Sequence, residues 1–324
     1  MTKFLKSSLL LLAFAPFAHA EWETLQTNGE PVARHEAGFI DVADKAYLVG
    51  GRRINPVSIY DPATKTWTQG APSPIEIHHF QPLAYKGEIW VVGAMTGRYP
   101  RETPVEKILI YNPEKDAWRW GPAIPEGRAR GGAGVSFYQG KIYLSAGITR
   151  GHMGGFIPWH DSFDPETGEW EQLPDAPHAR DHFQSAVLDG KLYLAGGRQT
   201  SRETDEVFSR TVAAVDVYDF ATQTWTTLGK DLPTPRAGNT TFSFGHKVIV
   251  IGGETGHSDT AHAEVEAYDV DAKDWTALPS LNRGRHGTGV AIIDCTIYTA
   301  SGSGNRGGKP ELTDIEAASC EHFK

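Results

Sequence analysis

The stretch KLYLAGG, residues 191–197, recurs along the chain in five further forms. Each form is a short run rich in β-branched, aromatic or leucine residues with glycine or alanine at its end, which is typical of a buried strand followed by a sharp turn. The copies lie roughly fifty residues apart, so they indicate one structural unit repeated six times. The other five are KAYLVGG (45–51), EIWVVGA (88–94), KIYLSAG (141–147), KVIVIGG (247–253) and TIYTASG (296–302).

A second motif follows the first five copies, with Asp or Asn six residues before a tryptophan. Its turn-forming residues predict a third strand, a turn and a fourth strand in each unit. The glycine pair and the late tryptophan together resemble the Kelch repeat, and the resemblance covers almost the whole chain. It implies four-stranded blades of a β-propeller. The five motifs are YDPATKTW (60–67), YNPEKDAW (111–118), FDPETGEW (163–170), YDFATQTW (218–225) and YDVDAKDW (268–275).

The sixth unit lacks a fourth strand of its own. Ser319 stands at the Asp position, so the expected tryptophan would fall one residue beyond Lys324. The segment EWETL, residues 21–25, supplies a tryptophan near the other end of the chain. We therefore expect an all-β, six-bladed Kelch β-propeller, one domain over residues 21–324, closed by the N-terminal strand so that no sheet edge stays unpaired.

Residues 1–20 are expected to be a cleaved secretory signal. Two lysines precede an apolar run too short to span a bilayer, and small residues end the segment at Ala20. Cleavage after Ala20 would place the protein in the periplasm or outside the cell. Cys295 and Cys320 fall at two turns on the same face of the sixth blade, so we expect a disulfide bond between them in an oxidising compartment.

The charge balance argues against two classes of partner. The leader carries two lysines and no acid, so the rest of the chain has a net charge of −11 instead of −9. Net acidity without a basic run argues against nucleic acid and anionic membrane surfaces. We expect neither nucleic-acid binding nor membrane insertion.

Five of the six units carry an arginine at the entry to the innermost strand. A ring of arginines at the mouth of the central channel would attract carboxylates and other anions, because a guanidinium group binds them bidentately. The same arginines could instead bond to loop carbonyls or pair with acids such as Glu36, and the sequence leaves that alternative open. The predicted ligand-binding residues are Arg34, Arg130, Arg180, Arg236, Arg285, His286 and, in the long loop 148–161, Trp159.

The third residue of this entry motif differs from unit to unit. Its six occupants are Glu36, His79, Gly132, His182, Gly238 and Gly287. We interpret the protein as an extracytoplasmic propeller that binds an anionic glycan or sugar acid at the channel mouth, with enzymatic activity undecided. A protein–protein interaction scaffold is an alternative, because the fold alone does not choose a function.

Two enzyme classes are further alternatives. Glu254, directly after a glycine pair, resembles a glutamate of bacterial N-acetylneuraminate epimerase, a secreted Kelch propeller, which implies a sialic-acid epimerase or mutarotase. A uronate lyase would use arginine to neutralise the substrate carboxylate and Glu254, His182 or His79 to remove the α-proton. These three are the candidate catalytic residues.

The end of the chain resembles the bacterial secreted Kelch proteins called galactose-oxidase-like, through RGRHGTGVAIIDCTIYTASGSGNRGG (283–308). The copper-radical site of galactose oxidase is excluded, because both cysteines belong to the sixth unit and to the opposite face. The loop histidines show no recognised ligand spacing. Neither a metal nor a cofactor is predicted.

Overall fold

The computed structural model describes residues 22–324, which form six four-stranded antiparallel sheets around a central channel. The predicted fold class and blade number are confirmed. The described residues contain no α-helix, only two 3₁₀ turns at Gly151–Met153 and Cys320–Phe323. Among them no helix is long and apolar enough to cross a membrane. The proposed signal, residues 1–20, lies outside this description.

The strands follow the predicted units. The first strand of the described residues is β1 (Glu23–Thr24). Blade one contains β2 (Ala37–Val42), β3 (Lys45–Gly50), β4 (Pro56–Asp61) and β5 (Thr66–Pro72). Blade two contains β6 (Pro82–Tyr85), β7 (Glu88–Val91), β10 (Lys107–Asn112) and β11 (Ala117–Ala123), with the small hairpin β8 (Met95–Thr96) and β9 (Thr103–Pro104) between its second and third strands. Blade three contains β12 (Gly134–Tyr138), β13 (Lys141–Ser145), β14 (His160–Phe163) and β15 (Trp170–Leu173).

The remaining blades are built in the same way. Blade four contains β16 (Ser185–Leu188), β17 (Lys191–Leu194), β18 (Asp216–Asp219) and β19 (Thr224–Thr227). Blade five contains β20 (Thr240–Phe244), β21 (Lys247–Ile251), β22 (Val265–Asp269) and β23 (Asp274–Leu278). Blade six contains β24 (Ala291–Ile293), β25 (Thr296–Ala300) and β26 (Ile315–Ser319), with β1 as its outermost strand.

The N-terminal strand closes the ring as expected. β1 pairs antiparallel with β26, Glu23 opposite Ala317 and Thr24 opposite Glu316. Trp22, directly before β1, is buried against blade five and donates its indole N–H to the Pro279 carbonyl at 3.1 Å. Because β26 gains a partner over its outer edge, blade six presents no unpaired third strand to solvent.

The late tryptophans join neighbouring blades through one recurring hydrogen bond. In four of the five, the indole N–H donates to a backbone carbonyl near the outer edge of the preceding blade; the indole nitrogen of Trp67 is buried without a hydrogen-bond partner in residues 22–324. Trp22 makes the same contact, which identifies it as the sixth member of the series. The other pairs are Trp118 with Ala71, Trp170 with Ala123, Trp225 with Pro174 and Trp275 with Lys230.

The two cysteines form the expected disulfide bond. Cys295 lies in the turn between β24 and β25, and Cys320 follows β26 directly. Their Cα atoms are 5.0 Å apart, and the Cys320 N–H donates to the Cys295 carbonyl at 2.9 Å. The pair therefore ties the last strand to the turn beside it.

Candidate functional site

The five repeat arginines lie inside their blades and do not line the channel mouth. Arg180 shows the pattern: its guanidinium group donates to the carbonyls of Leu194, Gly196 and Ala214, and to the Asp216 carboxylate at 2.7 Å. The members are at most 2% exposed, and each bonds to second-strand carbonyls of its own blade. They are Arg34, Arg130, Arg180, Arg236 and Arg285.

This geometry corrects the expectation of an arginine ring that contacts a ligand. Four of the five pair with an acid on the third strand of the same blade: Asp161, Asp216, Glu266 and Glu316. Arg34 has the Ser58 hydroxyl instead, and burial lowers its pKa to about 9. A buried guanidinium group whose hydrogen bonds are made within one blade holds that blade's strands together.

The predicted His286 and Trp159 also make contacts within the protein. His286 is buried, and its Nε2 bonds to the carbonyls of Asn305 and Gly307. Trp159 is half-buried, with the Arg128 guanidinium 4.2 Å from its ring centroid, and it does not line the large cavity of this face. Neither residue lines the cavity at the channel mouth, although Nε2 of His286 lies 3.4 Å from the Glu254 carboxylate.

Six residues encircle the channel axis through backbone hydrogen bonds. Each N–H donates to the carbonyl of the preceding member, over 2.5–3.1 Å, and Ala37 closes the circle by donating to the last carbonyl. All six have a φ between 54° and 65°. We call them the axial ring: Glu36, His79, Gly132, His182, Gly238 and Gly287.

Three of the six axial-ring residues adopt a positive φ although they are not glycine. Glycine adopts a positive φ at little cost, and three members are glycine. Glu36, His79 and His182 are held there at 54–55° despite carrying side chains. Non-glycine residues in this region cost of order 1–3 kcal/mol each, and they cluster at functional sites. These three side chains are therefore candidates for a functional role.

Three histidines from three blades meet above the axial ring. His79 and His182 enter from blades two and four, and His152 comes from the 3₁₀ turn in the long loop of blade three. Their ring centroids are 4.6–5.2 Å apart, and one nitrogen of each lies within 4.8 Å of the others. We call this group the histidine cluster. Burial lowers the pKa of His79 and of His152.

Carboxylates hold two members of the cluster from behind. Glu102, fully buried, bonds to the backbone N–H and Nδ1 of His152, both at 3.0 Å, and accepts from Arg52 at 2.6 Å. Asp181 bonds to Nδ1 of His182 and accepts from the Thr200 hydroxyl and N–H. Each of these two histidines is thereby fixed in one ring orientation.

The third member is oriented by its neighbour. Nδ1 of His79 lies 2.5 Å from Nδ1 of His78, while Nε2 of His78 is 3.2 Å from the Gly97 carbonyl. Burial lowers the pKa of His78 to about 4, so its ring is neutral. Since a carbonyl only accepts, Nε2 of His78 carries the proton and its Nδ1 accepts from His79.

Two carboxylates lie on the other side of the ring. Glu254 pairs with Arg198 at 2.5 Å and accepts from the Gly307 N–H at 2.7 Å. Burial alone would raise the pKa of Glu36, but His182 and His286 outweigh it and hold that pKa at about 2. The pKa of Glu254 is also lowered, because His286 and Arg198 outweigh its burial. Both groups are therefore carboxylates at neutral pH.

A cavity of about 680 Å³ opens above these groups at the channel mouth. Its floor includes Glu36, Glu254 and His152. Its walls carry arginines and two aromatic rings that the repeat pattern does not contain. They are Arg52, Arg53, Arg98, Tyr99 and Phe208.

The three predicted catalytic residues occupy one region at two depths. Glu254 lines the mouth cavity. His79 and His182 line a much narrower space below it, of about 30 Å³, together with Glu36. The predicted site residues do not include these wall residues, because they belong to loops without a repeat register. Signals existed for Arg52, which directly follows the glycine pair of its unit, and for Arg98 and Tyr99, which stand in a long loop that combines arginines with an aromatic residue.

Comparison with known families places this architecture among Kelch propellers. The model of the Attractin/LZTR1 beta-propeller matches residues 3–258, and the Kelch motif matches residues 235–282. Among solved structures, that of YjhT superposes with a TM-score of 0.73 over 89% of this chain and 95% of that one. At 16% identity this likeness concerns the fold alone.

Curated relatives are more distant in overall organisation. Kelch-like protein terF of Aspergillus terreus is 28% identical over 87% of this chain and 64% of its own length. Kelch-like protein 40 of Xenopus laevis is 26% identical over 60% of this chain and 31% of its own. Alpha-scruin of Limulus polyphemus is 28% identical over 69% and 24%. The chain thus spans less than two thirds of the length of these relatives.

Proposed function

The chain belongs to the Attractin/LZTR1 family of Kelch β-propellers, and from that premise we propose that it binds a small anionic sugar, or the acidic end of a glycan, in the mouth cavity. The volume of about 680 Å³ lies within the range of small-molecule sites. Because fold does not select function, the proposal rests on the groups that line this space.

The observation that carries the proposal is an unengaged arginine beside aromatic rings. Arg52 pairs with Glu102 and Arg53 with Glu311, whereas Arg98 is exposed and forms no side-chain hydrogen bond with any residue in 22–324. A ligand carboxylate would supply the partner that its guanidinium fork fits. The residue proposed to bind the anion is therefore this loop arginine and not one of the repeat arginines.

The aromatic rings and the floor suit the rest of a sugar. Tyr99 is 47% exposed, and Phe208 faces the same cavity. Aromatic faces offer apolar surface to the C–H side of a pyranose, while the ionised Glu36 and Glu254 accept hydrogen bonds from hydroxyl groups. The cavity walls thus carry three arginines, one carboxylate (Glu76) and two aromatic rings, and the floor is rich in acceptors.

An enzyme acting on a sugar acid is a second candidate, favoured by the placement of Glu254. Its carboxylate lines the cavity and is ionised at neutral pH, so it can accept a proton from a bound substrate. His79 and His182 lie below it and would act on such a substrate only through groups that reach the cavity. Turnover in the binding screen below would favour this candidate.

An extracytoplasmic location is part of the proposal. The Cys295–Cys320 bond supports it, because structural disulfides persist in oxidising compartments. The leader pattern of residues 1–20 agrees with it. Fractionation of cells that express the full chain tests the location: we expect the protein outside the cytoplasm, shortened after Ala20 and without reactive thiol, whereas a full-length cytoplasmic protein with alkylatable cysteines would refute it.

The function is tested by calorimetric titration of residues 21–324 with sialic acid, glucuronate and galacturonate, and with the neutral sugars glucose and galactose. We expect saturable binding of an acidic sugar and weaker binding of its neutral counterpart. Arg98→Ala should weaken that binding about 10- to 100-fold, the worth of one charge-assisted hydrogen bond. The matched control is Arg101→Ala, on the same loop and equally exposed but outside the cavity.

Two results would contradict the proposal. Equal affinity for neutral and acidic sugars would show that Arg98 does not recognise a carboxylate of the ligand. If no sugar binds while a polypeptide partner does, the face would instead belong to a protein–protein interaction scaffold.

A further inference from the structure

We propose that the histidine cluster, His79, His152 and His182, binds a divalent transition-metal ion at the floor of the mouth cavity. The inference does not rest on sugar binding, because it concerns groups within the protein. It also revises the sequence-based expectation of no metal, which followed from ligand spacing along the chain.

Each of the three rings uses one nitrogen, Nδ1, for a hydrogen bond within the protein. Nδ1 of His152 donates to Glu102, and Nδ1 of His182 donates to Asp181. Nδ1 of His79 lies 2.5 Å from Nδ1 of His78, within hydrogen-bond distance. Nε2 of each ring is therefore the nitrogen left to ligate a metal.

Two of these nitrogens are buried without a protein partner. Nε2 of His79 and Nε2 of His182 belong to side chains at most 2% exposed and form no hydrogen bond within the described chain. A buried polar atom in that state costs about 1–3 kcal/mol. One ion held by all three rings would satisfy both atoms at once.

The surroundings match the usual architecture of histidine–metal sites. Metal-bound histidines commonly donate their second nitrogen to a carboxylate, which fixes the ring and raises its basicity. Glu102 and Asp181 occupy that position behind two of the three rings. Glu36 places a carboxylate oxygen 3.4 Å from Nε2 of His79, within reach of a fourth coordination position.

The backbone makes room for the cluster. Blade three contributes a glycine to the axial ring, Gly132, where an added Cβ would come within 3.0 Å of the His182 N–H. His152 reaches the cluster from the 3₁₀ turn Gly151–Met153 in the loop of the same blade. His79 and His182 keep their side chains although glycine would adopt the same positive φ at lower cost, as expected if the imidazole groups are needed there.

The donor set defines the class of ion. Imidazole nitrogens suit Zn²⁺, Cu²⁺, Ni²⁺ and Fe²⁺, whereas Mg²⁺ and Ca²⁺ prefer oxygen. Three histidines with one position facing a cavity resemble the coordination of catalytic rather than closed structural zinc sites. Since His152 lines the mouth cavity, an ion here would be accessible to a small ligand.

The second carboxylate–histidine group does not support a similar inference. His286 bonds to two backbone carbonyls through Nε2, and Glu254 is engaged by Arg198 and a backbone N–H. Nδ1 of His286 is buried without a hydrogen-bond partner in residues 22–324, but this group offers a single imidazole, and Glu254 is already paired with Arg198.

The test uses the untagged chain, stripped with a chelator and titrated with Zn²⁺ by calorimetry and with Co²⁺ by visible absorption. We expect one ion per chain and cobalt d–d bands of a site with nitrogen ligands. His152→Ala should weaken Zn²⁺ binding at least 100-fold. His246→Ala is the control, because that ring is 71% exposed and far from the cluster in sequence and environment.

The other ligands are removed by His79→Gly and His182→Gly. Glycine is the residue that three blades already use at this position, so these variants keep the fold, which a melting curve verifies. Both should lose the cobalt bands. Glu102→Gln, which alters only a positioning residue, should weaken Zn²⁺ binding 10- to 100-fold. Absence of saturable Zn²⁺ binding in the wild type, or binding that survives His152→Ala unchanged, would overturn the proposal.

Discussion

Gly132 and His182 share a backbone hydrogen bond of 2.8 Å and nearly the same φ, 58° and 54°, although only one of them has a side chain. They are neighbouring members of the axial ring, so the channel imposes one backbone conformation on six different sequence contexts. Where no side chain is needed the ring uses glycine. Where Glu36, His79 and His182 stand, the chain tolerates a conformation that glycine would adopt at lower cost.

Replacement of an axial-ring glycine should therefore lower the free energy of unfolding. A Cβ at Gly287, where φ is 65°, would lie 2.7 Å from the backbone nitrogen of Glu36. We expect Gly287→Ala to lower the free energy of unfolding by at least about 2 kcal/mol. Gly140→Ala is the control, since φ is 86° there but nothing lies within 4 Å, and it should cost about 1 kcal/mol. Equal losses in urea denaturation would show that the ring is not crowded.

Closure of the propeller can be tested at Trp22. This side chain is 3% exposed, contacts Phe323 and donates to the Pro279 carbonyl. Trp22→Ala should cost about 3–5 kcal/mol of unfolding free energy, as for other buried aromatic truncations. Trp120→Ala, at a ring that is 46% exposed, should cost far less. Similar denaturation midpoints for the two variants would argue against closure by the N-terminal segment.

Acid should destabilise the protein through His160. Burial, and to a lesser extent Arg130, lowers its pKa to about 3. The unfolded chain titrates near 6.5, so between pH 6.5 and 3 it binds more protons than the folded chain, and stability falls as pH falls. This residue alone contributes a slope of about 1.4 kcal/mol per pH unit.

The measurement is urea unfolding at several pH values between 6 and 4. His160→Gln removes the titrating group and should flatten the curve by about that slope. His246→Gln, at an exposed ring, should leave it unchanged. A wild-type slope retained in His160→Gln would show that another group dominates acid sensitivity.

The fold was predictable because its determinants repeat. Six glycine-rich strands and five late tryptophans established the number of blades, and the displaced Trp22 identified the closing strand. The disulfide followed from the turn positions of Cys295 and Cys320. In each case the spacing along the chain translates directly into a position in a regular sheet.

The site was only partly predictable, for two physical reasons. The position of Arg180 in its repeat placed it at the entry to the blade. It did not show that the side chain pairs with Asp216 inside the blade. The recurrence of an acid 30 to 36 residues after four of the arginines was a signal for that pairing. His152, by contrast, has no counterpart in other units, so only the folded loop reveals its approach to His79 and His182.

Loss of a repeat arginine should therefore affect stability and not ligand affinity. Arg180→Ala leaves the buried Asp216 without its guanidinium partner, which should cost about 3–5 kcal/mol of unfolding free energy. The molecules that remain folded should bind the acidic sugar as the wild type does. Denaturation and titration on the same preparation measure both quantities.

The affinity of Arg98→Ala for the acidic sugar that the wild-type protein binds tests the central claim most directly. The side chain is exposed and unpaired, so its removal should change the unfolding free energy by no more than about 0.5 kcal/mol. We predict an affinity at least about tenfold lower than that of the wild type and of Arg101→Ala. The account would be contradicted by an unchanged affinity in Arg98→Ala together with a loss of affinity in folded Arg180→Ala. That result would place the ligand at the repeat arginines and not in the mouth cavity.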